Sequence, residues 1–293
     1  MTESDQELTT FQENRTILLS VLKRHPAYLL STAFIISYLL YSLVSTIYPG
    51  ILPYDPTKVN LSKALLAPNW QYPFGTDVVG RNIFLAVFFG APIDAVASVA
   101  IIITAVSVGV ISGAIAGYFG GLVEEVIMRV TDVFLSFPAL ILAVAIAAAL
   151  GPGLLNAVIA IAAIWWPVYT RLARGEALSI RNQQFILAAK ASGVSRARIV
   201  TSHVIPNLLN PIIAYATADV GNVIILFSVI GYLGLGAQPP RIDLGRLVFD
   251  GQNYIQFAPW YPILPGVAIF VIVIAFALLG DLMTELLSPR MRK

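Results

Sequence analysis

The sequence predicts an all-α, polytopic membrane protein with six transmembrane helices. Of the 293 residues, 58% are hydrophobic and only 12% are charged, whereas about a quarter of the residues of a soluble domain are charged. The mean hydropathy is +0.81. The apolar residues are gathered into runs that are long enough to cross a hydrocarbon layer of roughly 30 Å. This combination is typical of a chain that crosses a membrane several times.

The same composition excludes several classes of site. The chain has no cysteine and only two histidines, His25 and His203, which lie far apart in sequence. No disulfide framework, thiol nucleophile or metal site is therefore expected. The net charge of +2 gives no basic surface of the kind that binds nucleic acid.

The first transmembrane helix is predicted at residues 26–48, after a tail at residues 1–25. Its apolar run is longer than the core of a signal peptide and has no small-residue cleavage site after it. Residues 49–91 are polar and rich in proline. This segment is too long and has too many turn-forming residues to be a simple connection between helices. We expect this segment to fold against the extracytoplasmic face and to lead into the second helix. Asp77 and Arg81 lie one helical turn apart and are expected to form a structural ion pair.

The second predicted span, residues 92–118, carries a stripe of glycines. Gly109, Gly113 and Gly117 recur every four residues and so lie along one face of a helix. Membrane helices approach each other closely at such small residues. The stripe therefore predicts a helix-packing surface.

Four more spans complete a predicted core at residues 92–287. They are residues 133–150, 154–169, 211–233 and 262–287, with a tight turn at 151–153 and a long polar segment at 171–210. With the N-terminus inside, thirteen of the eighteen Lys and Arg residues fall in cytoplasmic segments and five in outer ones. Cytoplasmic loops carry the excess of cations in membrane proteins. We therefore expect both termini, including residues 288–293, and the segment 171–210 to face the cytoplasm.

The polar segment 171–210 is the clearest candidate for a contact with another protein. It is predicted to form two short helices, residues 179–192 and 195–205, with Gly193 as a C′ residue and Ser195 as an N-cap. Pro206 and Pro211 are expected to close it. Small side chains on either side of the bend would let another backbone approach closely. The alternative is an ordinary amphipathic loop between two membrane helices.

At these residues the chain resembles a known family. Ala188, Ala189 and Gly193, followed by residues 205–207, are similar to the "EAA" loop of the permease subunits of ABC importers, although Leu187 stands where that motif has glutamate. Residues 72–82, 233–240 and 258–266 resemble other segments of the dipeptide, oligopeptide and nickel class. This chain departs from the class at two positions. The segment 72–82 usually ends in aspartate there but ends in Asn82 here, and Asp243 lies where the class commonly has a Ser-Trp pair.

The resemblance implies a type I ABC importer permease fold in the cytoplasmic membrane. It also implies that the loop docks on an ATP-hydrolysing subunit. The residues expected to take part are Ala188, Ala189, Lys190, Gly193, Ser195, Arg196 and Pro206. The family further implies a homologous second permease, two ATP-binding subunits and an extracytoplasmic solute-binding protein. Substrates of the class include dipeptides, oligopeptides, nickel complexes and oligosaccharides.

The chain carries no phosphate-binding loop of the Gly-x-x-x-x-Gly-Lys-[Ser/Thr] type. We therefore expect a non-catalytic subunit that binds no cofactor, while ATP and Mg²⁺ are bound by its partners. The alternative is a self-sufficient secondary transporter driven by an ion gradient. Such a transporter is expected to have broken helices and several intramembrane ionisable residues. In this sequence, Asp219 is the clear example of an ionisable residue within a predicted span.

Asp219 is predicted to lie near the middle of the fifth span. Tyr215, Asp219 and Asn222 follow each other at helical spacing and form a polar stripe on an apolar helix. A carboxylate at this depth is costly and should face protein or water. Two interpretations are open: the stripe lines the translocation path, or it hydrogen-bonds a neighbouring helix and fixes the packing.

Overall fold

The computed structural model describes residues 25–48, 50, 55 and 58–287. Most of the predicted N-terminal tail and all of residues 288–293 lie outside the described residues. Within them the chain is helical and forms one isolated bridge, between Thr76 and Asn82. The helices in chain order are α1 Pro26–Ile47, α2 Ile83–Phe119, α3 Gly121–Leu135, α4 Ala139–Leu150, α5 Leu154–Ile180, α6 Gln184–Ala191, α7 Arg196–Ile199, α8 Ile205–Tyr232, α9 Leu244–Gly251 and α10 Trp260–Leu287.

Helix α2 begins well before the predicted residue 92, because Asn82 caps it. The Asn82 side chain accepts from the backbone N–H groups of Phe84 and Leu85. Pro92 is therefore inside the helix, where a proline leaves a carbonyl four residues earlier without its N–H partner. That carbonyl, Phe88 O, accepts from the hydroxyl of Tyr41 on α1 at 2.7 Å. The hydroxyl thus compensates for the proline and joins α1 to α2.

Asp77 and Arg81 form the predicted ion pair, but in a turn and not in a helix. Asp77 Oδ2 accepts from Arg81 Nε at 2.5 Å. Asp77 Oδ1 accepts from the backbone N–H groups of Val79 and Arg81 at 3.0 and 2.7 Å. Gly80 has a φ of +79°, which keeps the chain turning and prevents a helix. The ion pair and these backbone bonds stabilise the turn at residues 76–82, which leads into α2.

The predicted span 133–150 is corrected by the structure. Pro138 disfavours helical backbone in the residue before it, and the chain breaks between α3 and α4 with a bend of 86°. Helix α4 alone, at 1.5 Å per residue, is too short for a layer of roughly 30 Å. Five described helices are long and apolar enough to cross a membrane, and α3 with α4 would make a sixth if the bent pair is one span. The all-α polytopic fold is confirmed.

The glycine stripe of α2 faces α5. A Cβ added at Gly109 would lie 2.4 Å from Tyr169 Cβ, one at Gly113 would lie 2.4 Å from Thr170 O, and one at Gly117 would lie 2.7 Å from Ala177 Cβ. Next to the stripe, the hydroxyls of Ser112 and Thr170 are 2.8 Å apart. Because these contacts continue toward its end, α5 extends to Ile180 and not to residue 169 as expected.

Helix α7 continues into α8 through a π-helical segment, Val200–Val204. Pro206 and Pro211 therefore do not end the polar segment; they lie in the first turns of α8. The wider hydrogen-bond spacing of a π turn rearranges the backbone pairs just before Pro206. The result is one helical stretch from Arg196 to Tyr232. Its far half packs on α10, where a Cβ added at Gly280 would lie 2.3 Å from Ala218 Cβ.

The segment between α8 and α10 is organised by a buried aspartate. Asp243 accepts from the backbone N–H groups of Ala237 and Arg246, each at 2.7 Å. Its neighbour Leu244 donates its N–H to Asp94 Oδ2 on α2 at 3.1 Å. Burial raises the pKa of the Asp243 carboxyl, and the two backbone donors act in the opposite direction. These bonds hold α9 against the ends of α2 and α8.

Candidate functional site

The polar segment is anchored to the end of α2 by two basic side chains. Arg181, in the break after α5, donates to Gly117 O at 3.1 Å. Lys190 Nζ lies 5.2 Å from the centre of the Tyr118 ring, a cation–π arrangement. Ile186 on α6 and Ile199 on α7 are fully buried. The two short helices are therefore fixed to the membrane helices through one face, and their other face is exposed.

The bend between α6 and α7 is a Schellman turn. Gly193 has a φ of +77°. Its N–H donates to Lys190 O, and the N–H of Val194 donates to Ala189 O, both at 3.1 Å, which is the bond pair of that motif. Helix α6 begins at Gln184, later than the predicted residue 179, because α5 occupies the residues before Arg181. Ser195 Oγ then accepts from Arg198 N at 3.4 Å and caps α7.

The residues proposed from the sequence for docking do not all lie at the bend. Ala188, Lys190, Gly193, Ser195 and Arg196 are exposed around it, and Ala189 is partly buried. A Cβ added at Gly193 would meet no atom of the chain within 4 Å, so the space beside it is open. Pro206 is also exposed, but it belongs to α8, beyond the π-helical segment. The exposed surface formed by residues 185–196 is called the coupling surface below.

The polar stripe of α8 contacts α5 through its aspartate. Asp219 is 3% exposed. Its Oδ2 accepts from Trp165 Nε1 at 2.7 Å and from the Tyr169 hydroxyl at 2.9 Å, and its Oδ1 accepts from Asn222 Nδ2 at 2.9 Å. The two bonds to α5 are those expected if the stripe hydrogen-bonds a neighbouring helix and fixes the packing. Tyr215 and Asn222, in contrast, are exposed.

Tyr215 lines an open groove of about 430 Å³ between α5 and α8, into which Arg171 and Glu176 also project. Arg171 is shared with a second groove, of about 570 Å³, beside α3. Ion pairs cross from α5 to α3: Arg171 to Asp132 at 2.8 Å, and Arg174 Nε to Glu124 at 2.6 Å. These ion pairs were not predicted from the sequence. The signal that could have revealed them is the arginine pair three residues apart on α5, opposite the acidic start of α3.

The described residues hold no group of three or more His, Cys, Asp or Glu side chains that could bind a metal ion. Asp219, Arg171 and Arg174 instead make hydrogen bonds and ion pairs between helices. The site therefore combines contacts between helices, an exposed bend at Gly193 and a polar groove beside Tyr215.

Comparison with known proteins matches residues 109–293 to the family model described as binding-protein-dependent transport system inner membrane component. The probable D,D-dipeptide transport system permease protein DdpC of Escherichia coli K12 is 38% identical over 97% of this chain and 94% of its own length. The nickel transport system permease protein NikC of the same organism is 34% identical over 82% of this chain and 87% of its own length.

Among solved structures, the chain resembles an inward-facing form of the MetNI methionine ABC transporter. The TM-score is 0.57 at 18% identity, and the match covers 70% of this chain and 98% of the other. At this identity the likeness concerns the fold alone. It links the arrangement of helices described above to a permease architecture.

Proposed function

Because the chain belongs to the family of binding-protein-dependent transport system inner membrane components, we propose how its parts serve import. The protein is a transmembrane permease subunit of an ABC importer and resides in the cell's inner membrane. In our proposal it forms half of the translocation path and pairs with a homologous second permease. Two ATP-binding subunits bind ATP and Mg²⁺, and an external binding protein delivers the solute. The findings lend no support to the alternative of a self-sufficient secondary transporter.

The observation that carries the docking part of the proposal is the coupling surface. It offers a rigid bend with small side chains, and it is supported from behind by Ile186 and Ile199. The open space beside Gly193 suits a close approach by an ATPase subunit. Of the predicted docking residues, Ala188, Ala189, Lys190, Ser195 and Arg196 adjoin this bend, and we assign Pro206 an indirect role through α8. We place both termini and this surface in the cytoplasm.

For the path, we propose the face of α8 that bears Tyr215 and Asn222. Support comes from the exposure of both side chains and from the groove beside Tyr215. Asp219 serves there by orienting Asn222 and fixing α8 on α5. A peptide-like solute has amide donors and acceptors that fit such a polar stripe. The name of the dipeptide relative agrees with that class, and a nickel complex is the second candidate.

The docking proposal is tested by Gly193→Leu in the assembled transporter. A residue other than glycine in left-handed backbone costs roughly 1–2 kcal/mol, and the leucine side chain would project from the coupling surface. We expect normal membrane insertion, with substrate-stimulated ATP hydrolysis and uptake reduced about tenfold or more. Gly193→Asn is the matched control, since asparagine tolerates this backbone conformation and should keep most of the activity. The permease without ATPase subunits should hydrolyse no ATP.

Normal uptake by the Gly193→Leu transporter would contradict docking at this bend. It would leave an ordinary loop between membrane helices as the explanation for residues 171–210. Loss of the protein from the membrane in both variants would instead point to a folding role for Gly193.

A further inference from the structure

A groove of about 540 Å³ lies at the junction of α1, α2 and α5. Its walls are mostly apolar. Phe89, Ile93 and Val96 of α2 form one side, and Leu155 and Val158 of α5 form the other. Leu155 is 68% exposed and Val96 is 48% exposed. The groove is thus open to whatever surrounds the bundle.

The polar atoms in the wall are already bonded, with one exception. On α1, the Tyr41 hydroxyl donates to Phe88 O, and the hydroxyls of Ser45 and Thr46 donate to Ser42 O. The exception is Arg241, which lines one end of the groove and is exposed. Among the residues that the structure describes, no carboxylate forms an ion pair with it. Within the part of the chain that the structure describes, the groove therefore combines a mostly apolar wall with a cationic group that has no acidic partner.

The groove also has the depth of half a bilayer. Arg241 lies near the C-terminal end of α1 and the turn before α5, which is tied to the same region by the bond from Gly153 N to Leu235 O. From Phe89 to Ala100 the wall runs roughly 16 Å at 1.5 Å per residue. One leaflet of the hydrocarbon layer is about 15 Å thick. With the predicted orientation of the chain, we expect the cation near the headgroups of the outer leaflet and the apolar wall among its acyl chains.

We propose that this groove binds an anionic phospholipid. One acyl chain lies along α2 between α1 and α5, and the phosphodiester is held by the Arg241 guanidinium, which suits phosphate as a fork of donors. Charge complementarity favours an anionic headgroup over a zwitterionic one. A water-soluble anion would use the arginine but not the apolar wall. By our topology the lipid belongs to the outer leaflet.

The test uses the assembled transporter and two lipids with the same acyl chains, phosphatidylglycerol and phosphatidylcholine. Bound lipid is counted by native mass spectrometry after titration in detergent. We expect the parent to retain phosphatidylglycerol preferentially. Arg241→Gln should reduce that preference about fivefold, the effect expected of one basic residue near an anionic headgroup. Lys58→Gln is the matched control, since it removes one cation from the same predicted face outside the groove and should change nothing.

Ala100→Phe supplies an independent readout, because Ala100 is exposed in the groove wall and the ring would occupy the acyl-chain position. It should lower the retention of both lipids. Equal retention of the two lipids by the parent, or an unchanged preference in Arg241→Gln, would overturn the proposal. Lipid retention that is the same in the parent and in Ala100→Phe would also overturn it. That result would mean that the partner permease, and not a lipid, covers the groove.

Discussion

Asp219 is the residue at which sequence and structure inform each other most. Its depth and spacing predict that it faces protein or water and that Asn222 lies on the same face. Its donors on Trp165 and Tyr169 are identified only by the three-dimensional structure. The sequence could not pair Trp165 and Tyr169 with it, because both aromatic residues read equally well as lipid-facing. The hydrogen bonds explain how a carboxylate is accommodated in an apolar helix. The path role of the stripe stays a prediction.

Asp219→Asn tests that role because it removes the charge but keeps the side-chain shape and one acceptor oxygen, which can still accept from Trp165 and Tyr169. We expect the complex to assemble and to hydrolyse ATP, with the transport rate changed on the order of tenfold, the effect of a contact worth roughly 1.5 kcal/mol. Uptake into proteoliposomes measures it. Asp281→Asn is the control, since Asp281 is an exposed carboxylate on α10 and its loss should leave uptake unchanged. Unaltered transport by Asp219→Asn would refute the path role, and loss of assembly would assign the residue to packing.

At the scale of elements, the sequence indicated where helices meet more reliably than where they end. The four-residue spacing of Gly109, Gly113 and Gly117 pointed to a close approach, and α5 lies against those glycines. The predicted helix boundaries were wrong where more distant contacts or a change in helix type allowed a helix to continue through a proline. The sequence predicts Pro92 and Pro206 as limits of helices, yet the Tyr41 hydroxyl compensates for the first and a π-helical segment precedes the second. The first compensation comes from a residue on another helix, and the second comes from the backbone immediately before the proline.

Gly113→Ala is predicted to destabilise the α2–α5 contact. The new methyl group would lie 2.4 Å from Thr170 O and 2.7 Å from Ala173 Cβ, so the helices must separate, at a cost of about 1–3 kcal/mol. The apparent melting temperature of the purified complex should fall. Gly175→Ala is the control, because a Cβ there meets nothing within 4 Å and alanine is favoured in helices. A melting temperature equal to the parent's in both variants would show that the stripe does not fix this packing.

For the whole molecule, composition was enough to identify the polytopic helical class, but the number of crossings depends on the bent pair α3 and α4. Hydropathy alone made residues 133–150 one span, since it does not register the break that Pro138 causes. The outer segment was also harder to anticipate. The sequence indicates a polar loop residue at Asp243, but the residue is fully buried. Its carboxylate accepts from the nearby backbone of Ala237 and Arg246, and its neighbour Leu244 bonds to Asp94 on the distant α2.

The orientation of the chain can be tested by single cysteines, since the sequence contains none. Gln183→Cys, in the exposed break before α6, should react with a membrane-impermeant maleimide only from the cytoplasmic side. Gln256→Cys, exposed between α9 and α10, should react only from outside. Asp243 is unsuitable because it is buried. Labelling of Gln183→Cys from outside would reverse the proposed topology and remove the coupling surface from the compartment that contains ATP.

The π-helical segment Val200–Val204 joins two helices into one rod. No loop interrupts the backbone from Arg196 to Tyr232, so the two ends are joined by continuous helical hydrogen bonding. Asp219 lies roughly 35 Å from Arg196 at 1.5 Å per residue. We therefore expect a displacement of the Arg196 end to reach Asp219 through continuous helical backbone, and to be passed to α5 through the hydrogen bonds with Trp165 and Tyr169.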